Sequence, residues 1–154
     1  MSFRVTGLPA ADFDHWFASS DAQLAARAAR RVTADAEHAF PCRISLTDAQ
    51  IGDEVLLINH EHLPVDSPYR SRHAIYIRAG EQTFDAVDTV PDMLRRRLLS
   101  IRAFDDAGMM TDCEVVEGRD IEQTIDRLFA DPQATYLHVH FARPGCYAAR
   151  IERA

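Results

Sequence analysis

The sequence predicts one α+β domain: a mainly antiparallel sheet, barrel-like in its most closed form, with about three helices packed on it. Three observations predict this. Short strand patterns follow one another through hairpin-type turns, helical periodicity appears near both ends and once in the middle, and few segments alternate in the βαβ manner. No internal repeat, low-complexity linker or composition shift marks a second domain. A chain of 154 residues can bury roughly 68–70% of its unfolded surface, so one core suffices without disulfide or metal support.

Phe3 and Val5 alternate with Arg4 and Thr6, giving a short strand ended by Gly7 and Pro9, and Ala10 to Phe17 suggests a brief helical turn. Ser20 and Gln23 form a capping-box pair that opens an Ala-rich helix from Asp21 to about Arg31, with Leu24, Ala28 and Val32 at helical spacing. Cys42 to Leu46 alternates as a strand. The turn around Gly52 leads into Glu54 to His62, whose Val55 to Ile58 is apolar on both faces, as in a covered central strand. Pro64 and Pro68 hold Leu63 to Ser71 as a loop, and Ala74 to Arg78 resumes a strand.

Pro91 suits the first turn of a short helix to about Arg97. Leu99, Ile101 and Ala103 then alternate with Ser100 and Arg102, and Asp105 to Gly108 turns that strand back into Met110 to Val116. Asp120 with Gln123 predicts a capped helix with the apolar stripe Ile121, Ile125, Leu128 and Phe129. Two strands close the chain, Ala134 to Ala142 and Cys146 to Glu152. In the first, Leu137, Val139 and Phe141 oppose Tyr136, His138 and His140. A three-residue loop, Arg143 to Gly145, would pair Phe141 with Tyr147, Val139 with Ala149 and Leu137 with Ile151. It would also set Cys146, Ala148 and Arg150 beside the two histidines.

Charge and cysteine usage exclude some classes of function. Acidic residues outnumber basic ones 24 to 17, a net charge of −7, which opposes nucleic acid and anionic membranes, whose affinity comes largely from phosphate neutralisation. Neither is an expected partner. All 17 basic residues are Arg, fitted to bidentate anion binding but more simply read as a coding bias towards Arg on a solvated surface. Cys42, Cys113 and Cys146 are an odd number at no zinc-finger spacing, which points to a reducing, cytoplasmic setting. The N-terminus lacks a signal-type apolar region, and no run approaches the ~18 apolar residues of a membrane span.

Reactive side chains crowd into two stretches, Phe40 to Arg78 and Tyr136 to Arg153. His60/His62 and His138/His140 are H-x-H pairs, which on a strand place both imidazoles on one face about 6.6 Å apart. That spacing suits a zinc-like divalent ion, with Cys146 or a carboxylate as third ligand, and also suits an outward polar face with no metal. Cys42 and Cys146 are candidate nucleophiles with His62 or His140 as base, Arg43 being placed to lower the Cys42 pKa; buried packing is the alternative. Cys113 reads as packing. In SPYRSRH, Tyr69, Arg70, Arg72 and His73 could clamp a carboxylate or phosphate, unless those arginines face solvent or pair with Asp and Glu. No Walker loop, dinucleotide fingerprint, G-x-S-x-G elbow or H-E-x-x-H is present.

Four motifs in order, PCRISLTDAQIGDEVLLINHEH, SPYRSRHAIYIR, LLSIRAFDDAGMM and YLHVHFARPGCYAARIER, resemble the bacterial domain-of-unknown-function family 1203 (DUF1203) over almost the whole chain. The resemblance implies a family and no activity. It marks Pro41, Cys42, Arg43, His62, Pro68, Tyr69, Arg70, His140, Gly145 and Cys146 as family-typical positions. It gives more weight to His62, His138 and His140 than to His60 and His73, where the family pattern differs.

The leading expectation is a pocket for a small anionic molecule, which the protein binds and could transform. Arg43, Tyr69, Arg70, His138 and Arg150 would hold the ligand, and Cys42, His62, His140 and Cys146 would do any chemistry. The first alternative is a divalent-metal site on His138 and His140 with His62 or Cys146. The second is a non-catalytic module, a homo-oligomer through an exposed strand edge. The sequence assigns no cofactor.

Overall fold

The computed structural model describes residues 1–154. The chain begins with β1 (Phe3–Thr6), a 3-10 turn (Ala10–Phe13) running into α1 (Asp14–Phe17), α2 (Asp21–Ala26) and β2 (Arg30–Thr33). Next come β3 (Pro41–Cys42), β4 (Thr47–Asp48), β5 (Glu54–Leu63), β6 (Ser71–Ile77) and β7 (Asp85–Val87). The remainder is α3 (Asp92–Arg95), β8 (Leu98–Phe104), β9 (Met110–Glu117), α4 (Ile121–Phe129), β10 (Tyr136–Phe141) and β11 (Tyr147–Arg153).

The class is α+β, with two open sheets and four helices in place of one barrel-like sheet. The larger sheet runs β7-β1-β11-β10-β8-β9 and the smaller β2-β5-β6-β3-β4. Every pairing is antiparallel except β3 with β6. The reason is visible on β10, where all six side chains are buried. Leu137, Val139 and Phe141 share a core with Ile121, Ile125, Leu128 and Phe129 of α4, each buried aliphatic contributing about 1.5–3 kcal/mol. The opposite face, His138 and His140, meets side chains of β5 and β6. A strand buried on both faces needs a second layer.

Several elements depart from the sequence reading. The capping box of α2 forms as expected, with Ser20 Oγ accepting from the Gln23 N–H and Gln23 Oε1 from the Ser20 N–H. The helix nevertheless stops at Ala26, because Ala28 takes φ 53° and the chain beyond becomes β2, where Val32 opposes Val55. Arg31 there bridges Asp21 and Glu54, a tertiary demand that overrides helix propensity. Asp120 makes no side-chain cap; α4 is instead entered through a 3-10 turn, Gly118–Asp120. The strand expected from Cys42 to Leu46 ends at Cys42, and the chain reverses with Leu46 at φ 53°. Cys113, expected in packing, is exposed on the edge strand β9.

The C-terminal hairpin matches the expected register only in its lower half. Leu137 opposes Ile151 and Val139 opposes Ala149, but His140 opposes Tyr147, so Ala148 is an extra residue in a β-bulge. Ala148 and Ala149 are both buried in the core as a result. Tyr147, expected beside Phe141, turns instead to the histidine face. No helix is long and apolar enough to cross a membrane.

Candidate metal centre

His138 and His140 project from one face of β10 with ring centroids 6.3 Å apart, the two-residue repeat of a strand. His62 reaches them from β5. It is the unpaired residue of a second bulge, since Glu61 opposes Arg72 and Leu63 opposes Ser71. Two of the three register shifts in the fold thus fall at this cluster, where a bulge re-aims a side chain that regular pairing would point elsewhere. The His62 ring lies between Tyr147, stacked at 4.9 Å, and His73, stacked at 4.8 Å.

The donor atoms of His62, His138 and His140 all lie within 4.8 Å of one another, and all three residues are buried. His62 Nδ1 and His138 Nδ1 are 3.4 Å apart, close to the edge of a tetrahedron with ~2.0–2.1 Å metal–nitrogen bonds. His140 Nδ1 is 3.0 Å from Gly145 O. A carbonyl only accepts, so Nδ1 carries the hydrogen and Nε2 carries the lone pair. That Nε2 is buried with no hydrogen-bond partner. His73 Nδ1 is 2.8 Å from His62 Nε2.

Burial holds all three imidazoles neutral, with the positive charge of Arg102 and the neighbouring histidines adding to it. The pKa is lowered to about 3 for His62, about 2 for His138 and about 3 for His140. Neutral imidazole is the form that binds metal. Arg102, opposite His138 on β8, was signalled only as a polar position alternating with Leu99, Ile101 and Ala103. Tyr147 had no sequence signal as a site residue.

The other sequence candidates lie outside the donor set. Arg43 and Cys146 lie together: Arg43 is 1% exposed and its guanidinium donates to Tyr147 O, Pro41 O and Cys146 Sγ, the last at 3.0 Å. Arg150 opposes His138 across the hairpin, pairs with Glu152 and lies over the Tyr136 ring. Tyr69 and Arg70 stand outside the cluster, Tyr69 at the surface against Phe104 and Arg70 paired with Glu61. Arg72 bonds Asn59, so Glu61 and Asn59 occupy the guanidiniums of the proposed SPYRSRH clamp. His60 packs on Phe13, outside the donor set. Cys42 is fully buried with its thiol directed at Phe40 O. Burial pushes its pKa up to about 12, outweighing the lowering effect of Arg43 on which a nucleophilic role depended.

The model of a family described as "Protein of unknown function (DUF1203)" matches residues 39–153. The chain belongs to the DUF1203 family. The match takes in all four sequence motifs and His62, His73, His138, His140, Arg43 and Cys146, while β1, α1, α2 and β2 precede it. No curated protein and no solved structure matches this DUF1203 chain.

Proposed function

We propose that this DUF1203 protein is a divalent-metal protein of zinc type, with the ion held by His62 Nδ1, His138 Nδ1 and His140 Nε2. The observation that carries the reading is the bare Nε2 of His140, a buried lone pair whose other ring nitrogen is fixed by Gly145 O. An orphaned buried acceptor is costly, and metal-ligating histidines characteristically donate their second N–H to a carbonyl or another fixed acceptor. His62 follows the same pattern: with Nδ1 on the ion, Nε2–H donates to His73 Nδ1.

No carboxylate or thiolate joins the donor set. Three histidines leave a tetrahedral ion one free position, the arrangement of catalytic rather than structural sites. Bound there, the ion would supply an activated water or polarise a carbonyl or phosphoryl oxygen. The residues of the chain fix imidazole tautomers through Gly145 and His73 and keep the rings neutral.

Metal content of protein purified without chelator, measured by elemental mass spectrometry, tests the reading. About one zinc-type ion per chain, lost in His138→Ala/His140→Ala, supports it. Wild-type protein that neither carries metal nor binds added Zn²⁺ or Co²⁺ in a titration overturns it.

A further inference from the structure

A cleft of about 710 Å³ lies beside the triad, walled by Leu57, Tyr76, Phe141 and Pro41 and lined by Arg43, Arg96, Arg97 and Arg143. Clefts of this size and mixed lining are the usual form of small-molecule sites. Its charge reverses that of the chain. Acids outnumber bases 24 to 17 in the sequence, yet the cleft is lined by four arginines and one carboxylate, Glu117.

Three of those arginines have no counter-ion. Arg97 is neutralised by Asp48, with bonds of 2.6 and 3.1 Å. Arg96, by contrast, meets only the His38 ring at 3.2 Å, and Arg143 is exposed with its side chain unbonded. Arg43 is the decisive one. It is buried, and its partners are two carbonyls and a thiol, with no carboxylate among them. A buried cation without an anion is expensive. Solvation accounts for Arg96 and Arg143 taken singly but far less for Arg43, which lines the cleft yet is only 1% exposed.

We infer that this cleft is a binding site for a small organic anion, its carboxylate or phosphate held by Arg96 and Arg143 against the uncompensated charge of Arg43 and its apolar body seated on Leu57, Tyr76 and Phe141. Arginine suits either head group through paired N–H bonds, and the guanidinium centres of Arg43 and Arg97, each 5.0 Å from the Phe141 ring centroid, frame an aromatic floor. The site stands independently of the metal reading. It adjoins the triad through His73, which lines the cleft and meets His62 on its other side.

Calorimetric titration with phenyl phosphate and with benzoate, on chelator-treated and on zinc-supplemented protein, tests the inference, with inorganic phosphate as the head group alone. Saturable 1:1 binding of at least one aromatic anion is expected in both preparations, tighter than that of inorganic phosphate. Phenyl phosphate and benzoate separate the two head groups. Arg96→Ala/Arg143→Ala, both surface changes, should weaken binding by about tenfold or more. Arg127→Ala, remote on α4 and paired with Asp112, should leave it unchanged. The inference is overturned if neither aromatic anion binds, if Arg127→Ala weakens binding as much as the double variant, or if binding needs zinc and ignores the arginines. Absence of metal from the triad leaves the expected result for chelated protein unaltered, so the two readings fail separately.

Discussion

His140 is fixed by Gly145: the ring donates from Nδ1 to the Gly145 carbonyl at 3.0 Å, and this five-residue local contact decides which nitrogen faces His62 and His138. Gly145 has φ 79°, with open space where a Cβ would stand. Gly145→Ala therefore meets no clash but carries about 1–2 kcal/mol of backbone strain, relieved by turning the carbonyl away from the ring. Zinc affinity should fall about 10–100-fold, the usual effect of losing such an outer partner, while circular dichroism stays native. Chelator-competition titration measures it; unchanged affinity in the folded variant would remove Gly145 from the site.

In chelator-treated protein the buried histidines should make stability fall in mild acid. The folded-state pKa is lowered to about 2 for His138 and about 3 for His140, against ~6.5 in the unfolded chain. Below pH ~6.5 the unfolded state binds more protons, so stability present above that pH is lost progressively as pH falls toward 3. Each residue adds a slope of up to about 1.4 kcal/mol per pH unit. Urea denaturation from pH 7.5 to 4.5 should show the loss, and His138→Gln/His140→Gln should reduce its slope, leaving the part due to His62. A pH-independent wild type would show that these rings are not buried neutral.

Much of this was legible in the sequence because it is local. The alternation of Leu137, Val139 and Phe141 with His138 and His140 gave β10 and its two faces, and the stripe from Ile121 to Phe129 gave α4. The H-x-H spacing could not tell a solvated strand from a covered one, because burial of the polar face is decided by β5 and β6, more than sixty residues earlier. The bulges at His62 and Ala148 were illegible for the same reason. Each inserts a residue where both register choices satisfy local patterning, and the choice rests on contacts between sheets. Arg43 looked like a strand residue beside a reactive thiol. It is instead an interior cation, because the chain reverses just beyond it.

The three thiols should react in a fixed order. Cys113 is exposed on β9, Cys146 is partly exposed in the cleft, and Cys42 is buried with its pKa pushed up to about 12. Thiolate fraction and access together set alkylation rates. At pH 8, iodoacetamide followed by peptide mass spectrometry should label Cys113, then Cys146, with Cys42 modified only after unfolding. An added aromatic anion should slow Cys146 and leave Cys113 unaffected. Early labelling of Cys42 in native protein would contradict its placement.

Gly118 ties the helical turn α3 to the wall of the cleft. Its N–H donates to Arg97 O at 2.8 Å, and a Cβ built on it would lie 1.9 Å from Leu94 O and 2.8 Å from the Leu94 carbonyl carbon. Those atoms are backbone, so no rotamer change relieves the contact; α3 and the turn before α4 must separate. Overpacking of this kind costs about 1–3 kcal/mol, or roughly 3–10 °C in Tm for a chain of this size. Gly118→Ala should show that loss in calorimetry. Because the displaced segment carries Arg96 and Arg97, the variant should also lose aromatic-anion binding below its Tm while retaining zinc on the triad, none of whose ligands lies on that segment. Equal loss of zinc would mean that the two sites do not move separately, and an unchanged Tm would show that α3 yields without cost.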